Sequence, residues 1–110
     1  MPSELGQLIR ETRLEQGIKL REFARRIEKS PAFVTQLECE EEPPSVAEDT
    51  LRRVADELGL KPGRLFVLAQ RTPRDMTPAS ETEYELFRKV KSLSERRKQK
   101  LLDELNQRNR

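Results

Sequence analysis

The chain has no histidine and no tryptophan, a single tyrosine, a single cysteine and only four glycines among its 110 residues. Without histidine it lacks the commonest general base and the commonest metal ligand at neutral pH. No serine or threonine has an imidazole to activate it, and the few glycines compose no phosphate-cradling loop. An enzyme is therefore not expected, and no residue set calls for a metal or a cofactor. The lone thiol, Cys39, excludes an internal disulfide and reads as an ordinary cysteine. No apolar run approaches the ~18 residues that a membrane span requires. The opening stretch, MPSELGQLIRET, has no apolar segment of the signal-peptide kind. The expectation is a cytoplasmic protein without a membrane role.

Charge is plentiful: 38% of the residues are Asp, Glu, Lys or Arg, against roughly 25% in an average globular chain. Hydrophobic residues make up 34%, enough for one small core with exposed helix, linker or tail beside it. The net charge of +2 is unevenly placed. Residues 1–70 hold 11 Lys/Arg and 13 Asp/Glu, a net −2, whereas residues 71–110 hold 11 and 7, a net +4.

Apolar spacing predicts helices throughout. Ser3 caps a first helix to about Gln16, with Leu5, Leu8 and Ile9 on one face and Gly17 as its stop. Leu20, Phe23, Ala24 and Ile27 form the i, i+3, i+4, i+7 stripe of a second. Ser30 and Pro31 then supply an N-cap and a first helical residue, opening a third helix in which Val34 and Leu37 face inward. Ala32, Thr35 and Gln36 fall away from that face. The run Glu40-Glu41-Glu42-Pro43-Pro44 is a break, because proline cannot continue a helix. A fourth helix follows from about Ala47 to Leu58, ended by Gly59. A fifth runs from about Pro62 to Ala69, with Leu65, Phe66 and Leu68 inward. Five such helices suit one bundle of about 65 residues. Residues 71–79 are a linker by their prolines and lack of period. Residues 80–110 form a helical tail: one helix from Ser80 to Lys91, and another capped by Ser94 that reaches about Gln107 before Asn109-Arg110 frays.

This order of elements resembles the Cro/C1-type (XRE) helix-turn-helix family of bacterial and phage regulators. The resemblance is carried by Gly17-Ile18, Ala24, SPAFVTQLE from Ser30 to Glu38, TLRRVADELGL from Thr50 to Leu60, and Pro62 through Leu68. It implies an all-α, five-helix lambda-repressor-like domain over residues 1–70, followed by the linker and the tail. It further implies that the third helix enters the major groove of double-stranded DNA. On that resemblance Gln36, Ala32, Pro31, Ser30 and Thr35 occupy base-contacting slots, Gln36 foremost because its amide can pair with adenine in two-pronged fashion. Lys19, Leu20, Arg21 and Lys29 fall where phosphate is touched. Arg13 and Glu38 match positions that form a structural ion pair between the first and third helices.

The chain departs from the family pattern at three places. Glu28 stands in the turn where glycine is frequent, so that either the turn forms differently or the backbone is strained. Lys19 and Leu20 replace a capping hydroxyl and a polar phosphate contact. Cys39-Glu40-Glu41-Glu42 replaces a basic run and would repel phosphate if it approached DNA. The expected function is a sequence-specific transcriptional regulator, a repressor acting as a homodimer in the cytoplasm. The dimer contact is placed on Tyr84, Phe87, Val90, Leu101, Leu102 and Leu105, an apolar edge that a short tail cannot bury alone. The alternative is an antitoxin or partner-binding regulator on the same fold, with the Glu40–Glu42 loop or the tail gripping a protein.

Overall fold

The computed structural model of the chain describes residues 1–41 and 45–108. Among them there are helices and turns and no strand. The helices are α1 (Glu4–Glu15), α2 (Leu20–Arg26), α3 (Pro31–Cys39), α4 (Glu48–Leu58), α5 (Pro62–Leu68), α6 (Glu81–Lys91) and α7 (Glu95–Arg108). The architecture is the five-helix lambda-repressor-like helix-turn-helix bundle, followed by a linker and a two-helix tail. Glu42, Pro43 and Pro44 of the expected acidic break lie outside the described residues, as do Asn109 and Arg110.

The starts and stops have local causes. Ser3 Oγ accepts the Gly6 N–H at 3.0 Å, and Ser30 Oγ accepts that of Phe33 at 3.1 Å. Each satisfies one of the donors that a helix start leaves without an internal partner. Gly17 and Gly59 close α1 and α4 at φ of +69° and +70°, where a side chain would be strained. The Ile18 and Leu60 amides then fold back onto the Arg13 and Ala55 carbonyls. Lys19 and Ala47 cap α2 and α4 without a side-chain hydrogen bond. Ala47, expected as the first residue of the fourth helix, is thus its cap.

The stripes of α1 to α5 converge. Leu5, Ile9, Phe23, Leu37, Leu51 and Leu65 are fully buried. Each such side chain contributes about 1.5–3 kcal/mol relative to exposure. Helix α1 packs on α3, α4 and α5, and α2 packs on α3, so α3 is held from two sides. Leu68 and Leu8 are only half-buried at the margin. Val46, just ahead of α4, joins the core at 3% exposure.

The chain divides into two compact units, Met1–Arg74 and Asp75–Arg110. The first reaches four residues past Gln70. The Arg71 guanidinium donates to the Val46 carbonyl and the Arg74 N–H to Glu48 Oε1 at 2.9 Å, which ties the end of the unit back to the start of α4. A single 3-10 turn, Arg74–Met76, interrupts the stretch expected to be irregular. In the second unit Ser80 caps α6 by accepting the Glu83 N–H, and Ser94 accepts that of Arg97. No residue of α6 or α7 is buried.

Candidate nucleic-acid interface

Helix α3 has two unlike sides. Inward, Val34 and Leu37 are fully buried and Glu38 is 1% exposed. Outward, Ser30, Pro31, Ala32, Thr35 and Gln36 are all exposed. Phe33, whose side periodicity leaves open, is half-buried against the core, with Lys29 Nζ 5.4 Å from its ring centroid. That contact holds the lysine stem beside the first turn of α3.

The outward polar groups differ in what they have left to offer. The Gln36 amide makes no hydrogen bond among the described residues, so both its donor and its acceptor are available. Thr35 Oγ1 donates to the Pro31 carbonyl at 3.1 Å, which leaves only its lone pairs. Ser30 Oγ accepts the Phe33 N–H but keeps its hydroxyl proton for an outside acceptor. Pro31 and Ala32 present apolar surface alone.

Two devices fix α3 against the bundle. The first is the Arg13–Glu38 pair, two parallel hydrogen bonds: Nε to Oε2 at 2.8 Å and Nη2 to Oε1 at 2.9 Å. Arg13 Nη1 also donates to the Ile18 carbonyl at 2.8 Å. One side chain therefore ties α1, the turn before α2 and the last turn of α3. The Glu38 hydrogen bond raises the Arg13 pKa above its ordinary value, outweighing the burial that lowers it. The second device is a gap. A Cβ on Gly6 would stand 2.5 Å from the Leu37 carbonyl oxygen and 2.9 Å from that of Glu38, so α1 and α3 touch backbone to backbone. The sequence signal for this was a glycine inside a helical pattern, which Gly6 shares with many harmless positions.

Charge is segregated along α3. Lys19, Arg21 and Lys29 are exposed on the α2 side and make no ion pair among the described residues. Leu20 turns its side chain to the core margin, leaving only its backbone N–H for a phosphate. Arg25 and Arg26 are committed to Glu22, with Arg26 Nε at 3.1 Å from Oε1. The Arg26 hydrogen bond, helped by the charge of Arg25, holds the Glu22 carboxyl below the usual carboxylate range. At the opposite end of α3, the Glu40 carbonyl accepts the Ser3 N–H at 3.1 Å. Glu41 meets the N-terminal ammonium at 3.4 Å. The Glu40 backbone and the Glu41 carboxylate are thereby drawn to the start of α1. The α2–α3 turn passes through Glu28 at φ +58°, and its carboxylate reaches Arg53 Nη1 of α4 at 2.6 Å. Arg53 did not stand out in the sequence, since only the folded turn brings Glu28 to it.

The tail residues Tyr84, Phe87, Leu101, Leu102 and Leu105 are 36–51% exposed, and Val90 is half-buried. Cys39 is exposed. Among the described residues no group of acidic or sulfur side chains could hold a metal ion, and no helix is long and apolar enough to cross a membrane.

No protein-family model matches the sequence, and no curated protein matches it. Among solved structures, the chain is similar to one described as the SinR protein/SinI protein complex, with a TM-score of 0.50 and 19% sequence identity. The likeness covers 96% of this chain and 97% of that one, so it extends over the tail as well as the bundle. At that identity it establishes the helix-turn-helix fold.

Proposed function

We propose that the protein is a sequence-specific DNA-binding transcriptional regulator, a repressor that acts as a homodimer and inserts α3 into the major groove. The observation that carries this is the two-sidedness of α3. Its inner row is clamped by Val34, Leu37 and the buried Arg13–Glu38 pair, while its outer row ends in an unengaged Gln36 amide. The N-terminal part of such a helix approaches base edges. Here that part carries Ser30, Pro31 and Ala32, with Lys19, Arg21 and Lys29 alongside as phosphate contacts. The helix dipole adds partial positive charge at the same end. Glu40 and Glu41 follow the other end of the helix, where the Glu41 carboxylate meets the N-terminal ammonium. Gln36 is the principal base reader, and Thr35 contributes only as an acceptor.

One such module makes few base contacts, so two copies related by a two-fold axis supply the affinity. Their reading helices would meet sites about one helical turn, ~34 Å, apart. Tyr84, Phe87, Val90, Leu101, Leu102 and Leu105 join the copies. A regulator of this kind works in the cytoplasm, on the chromosome.

The test is selection of bound sites from random duplex DNA with the full-length chain, followed by salt titration of the winner. The expected product is a two-fold symmetric site whose binding weakens steeply with salt. Gln36→Ala should cost about 1–3 kcal/mol at that site and relax preference at one base pair per half-site. A variant that retains both affinity and preference would remove Gln36 from the interface.

The solved structure that resembles this chain is a complex of two different proteins, which favours a second reading. The protein would then bind a partner of another sequence, as an antitoxin or partner-controlled regulator. Recovery of one stoichiometric protein with the full-length chain, and no selected DNA site, would establish it in place of the first.

A further inference from the structure

The tail carries its charge in blocks. Residues 81–87 hold Glu81, Glu83 and Glu85 and no cation. Residues 88–100 hold Arg88, Lys89, Lys91, Arg96, Arg97, Lys98 and Lys100 against the single acid Glu95. In α7 the cations Arg96, Arg97 and Lys98 crowd the first turn, where the helix dipole disfavours them. In α6 the arrangement suits the dipole, with acids in the first turn and cations in the last, so what the local rules leave open there is the register of the charges with the apolar edge.

In α6 the charges are in register with the apolar edge. Tyr84, Phe87 and Val90 advance by three residues and make one stripe, exposed or half-exposed along its length. At about 100° per residue, Glu83 and Lys91 each fall about 40° from the middle of that stripe, one on either side. Both lie four residues from Phe87. A two-fold axis through Phe87 with the helices antiparallel would bring residue 83 of one copy to residue 91 of the other, and Tyr84 to Val90. Parallel helices would instead stack Glu83 on Glu83 and Lys91 on Lys91. Charges flanking an apolar seam set orientation in this way.

We infer that two copies of the chain pair through α6 in antiparallel orientation, with Phe87 at the two-fold axis and Glu83 of each copy against Lys91 of the other. This rests on the homodimer proposed above and assigns its geometry. The Phe87 rings meet across the axis, where aromatic pairs add to simple burial. Glu83 Oε2 accepts the Ala79 N–H at 2.9 Å, and its second oxygen remains for the lysine of the other copy.

The experiment is sedimentation equilibrium of the full-length wild type, Glu83→Lys, Lys91→Glu and the double variant carrying both. Each single reversal turns two attractive contacts into two repulsive ones, so the dissociation constant should rise about tenfold. The double variant restores opposite charges in the antiparallel pairing and should return to within about threefold of wild type. Glu83→Lys also removes a contact at the start of α6, but Lys91→Glu cannot repair that contact, so rescue reports pairing alone. Dimerisation with unchanged singles, or a double variant as weak as the singles, overturns the antiparallel geometry and leaves the homodimer standing. A wild-type chain that stays monomeric at high micromolar concentration overturns both.

Discussion

Gly6, Arg13 and Glu38 decide where α3 lies, and they act through two kinds of force. At Gly6 the force is repulsion. Gly6→Ala would drive a methyl group to 2.5 Å from the Leu37 carbonyl. Neither neighbour is a flexible side chain, so α1 and α3 must separate. The expected loss is about 1–3 kcal/mol despite the better helix propensity of alanine, read as a lower urea midpoint with unchanged slope. At Arg13 and Glu38 the force is electrostatic and conditional on pairing. Removing one partner leaves the other charge buried, so Arg13→Met or Glu38→Leu alone should cost about 3–5 kcal/mol. The two together should cost markedly less than the sum, because well-packed apolar side chains often replace a buried pair without loss. A double-mutant cycle in denaturant measures the difference. An additive result would mean that the pair does not act as a unit.

The helix-turn-helix element shows how a departure from the usual sequence is accommodated. Glu28 occupies the left-handed region at φ +58°, which costs an L-residue about 1–2 kcal/mol. Its ion pair with Arg53 is exposed on both sides and offsets only a small part of that. Glu28→Gly should therefore stabilise the protein by about 0.5–1 kcal/mol, after the greater freedom of glycine in the unfolded chain is counted. Thermal unfolding would register it as a higher midpoint, and a lower one would assign Arg53–Glu28 more weight than its exposure suggests. The caps of this element were legible in advance: Ser30 and Pro31 announce the start of α3 because capping depends on residues within one turn. The side that α3 turns outward was legible for the same reason, since Val34 and Leu37 mark the inner row. Which outward groups remain unengaged was not, because the Thr35 back-bond to Pro31 and the Lys29 contact with Phe33 are matters of rotamer rather than of pattern.

At the scale of the whole molecule, the chain forms two compact units. Among the described residues every buried side chain belongs to Met1–Arg74, so a chain ending at Arg74 should keep the bundle and its cooperative unfolding while losing the self-association proposed for the tail. Circular dichroism and sedimentation together check this. A truncated chain that unfolds at room temperature would make the tail part of the bundle's stability. The truncation must not stop at Gln70, where the apolar period ends. It would remove the Arg71 and Arg74 contacts to Val46 and Glu48. In residues 75–108 the same physics runs in reverse: helices form with sound caps at Ser80 and Ser94, yet nothing they carry is buried.

The sequence by itself determined the all-helical class, the order of helices, the caps at Ser3, Ser30 and Ser94, and the outward row of α3. Hydrophobic period and capping are short-range, and the residues that set them lie within a few positions of one another. Only the tertiary structure decided that Gly6 is a backbone contact between α1 and α3. It also decided that Arg13 binds the Ile18 carbonyl as well as Glu38, that Glu28 keeps a strained backbone beside Arg53, and that the first unit extends to Arg74. Each of these joins groups whose approach depends on helix crossing and on the packing of a shared core, and neither is encoded in any single stretch of chain.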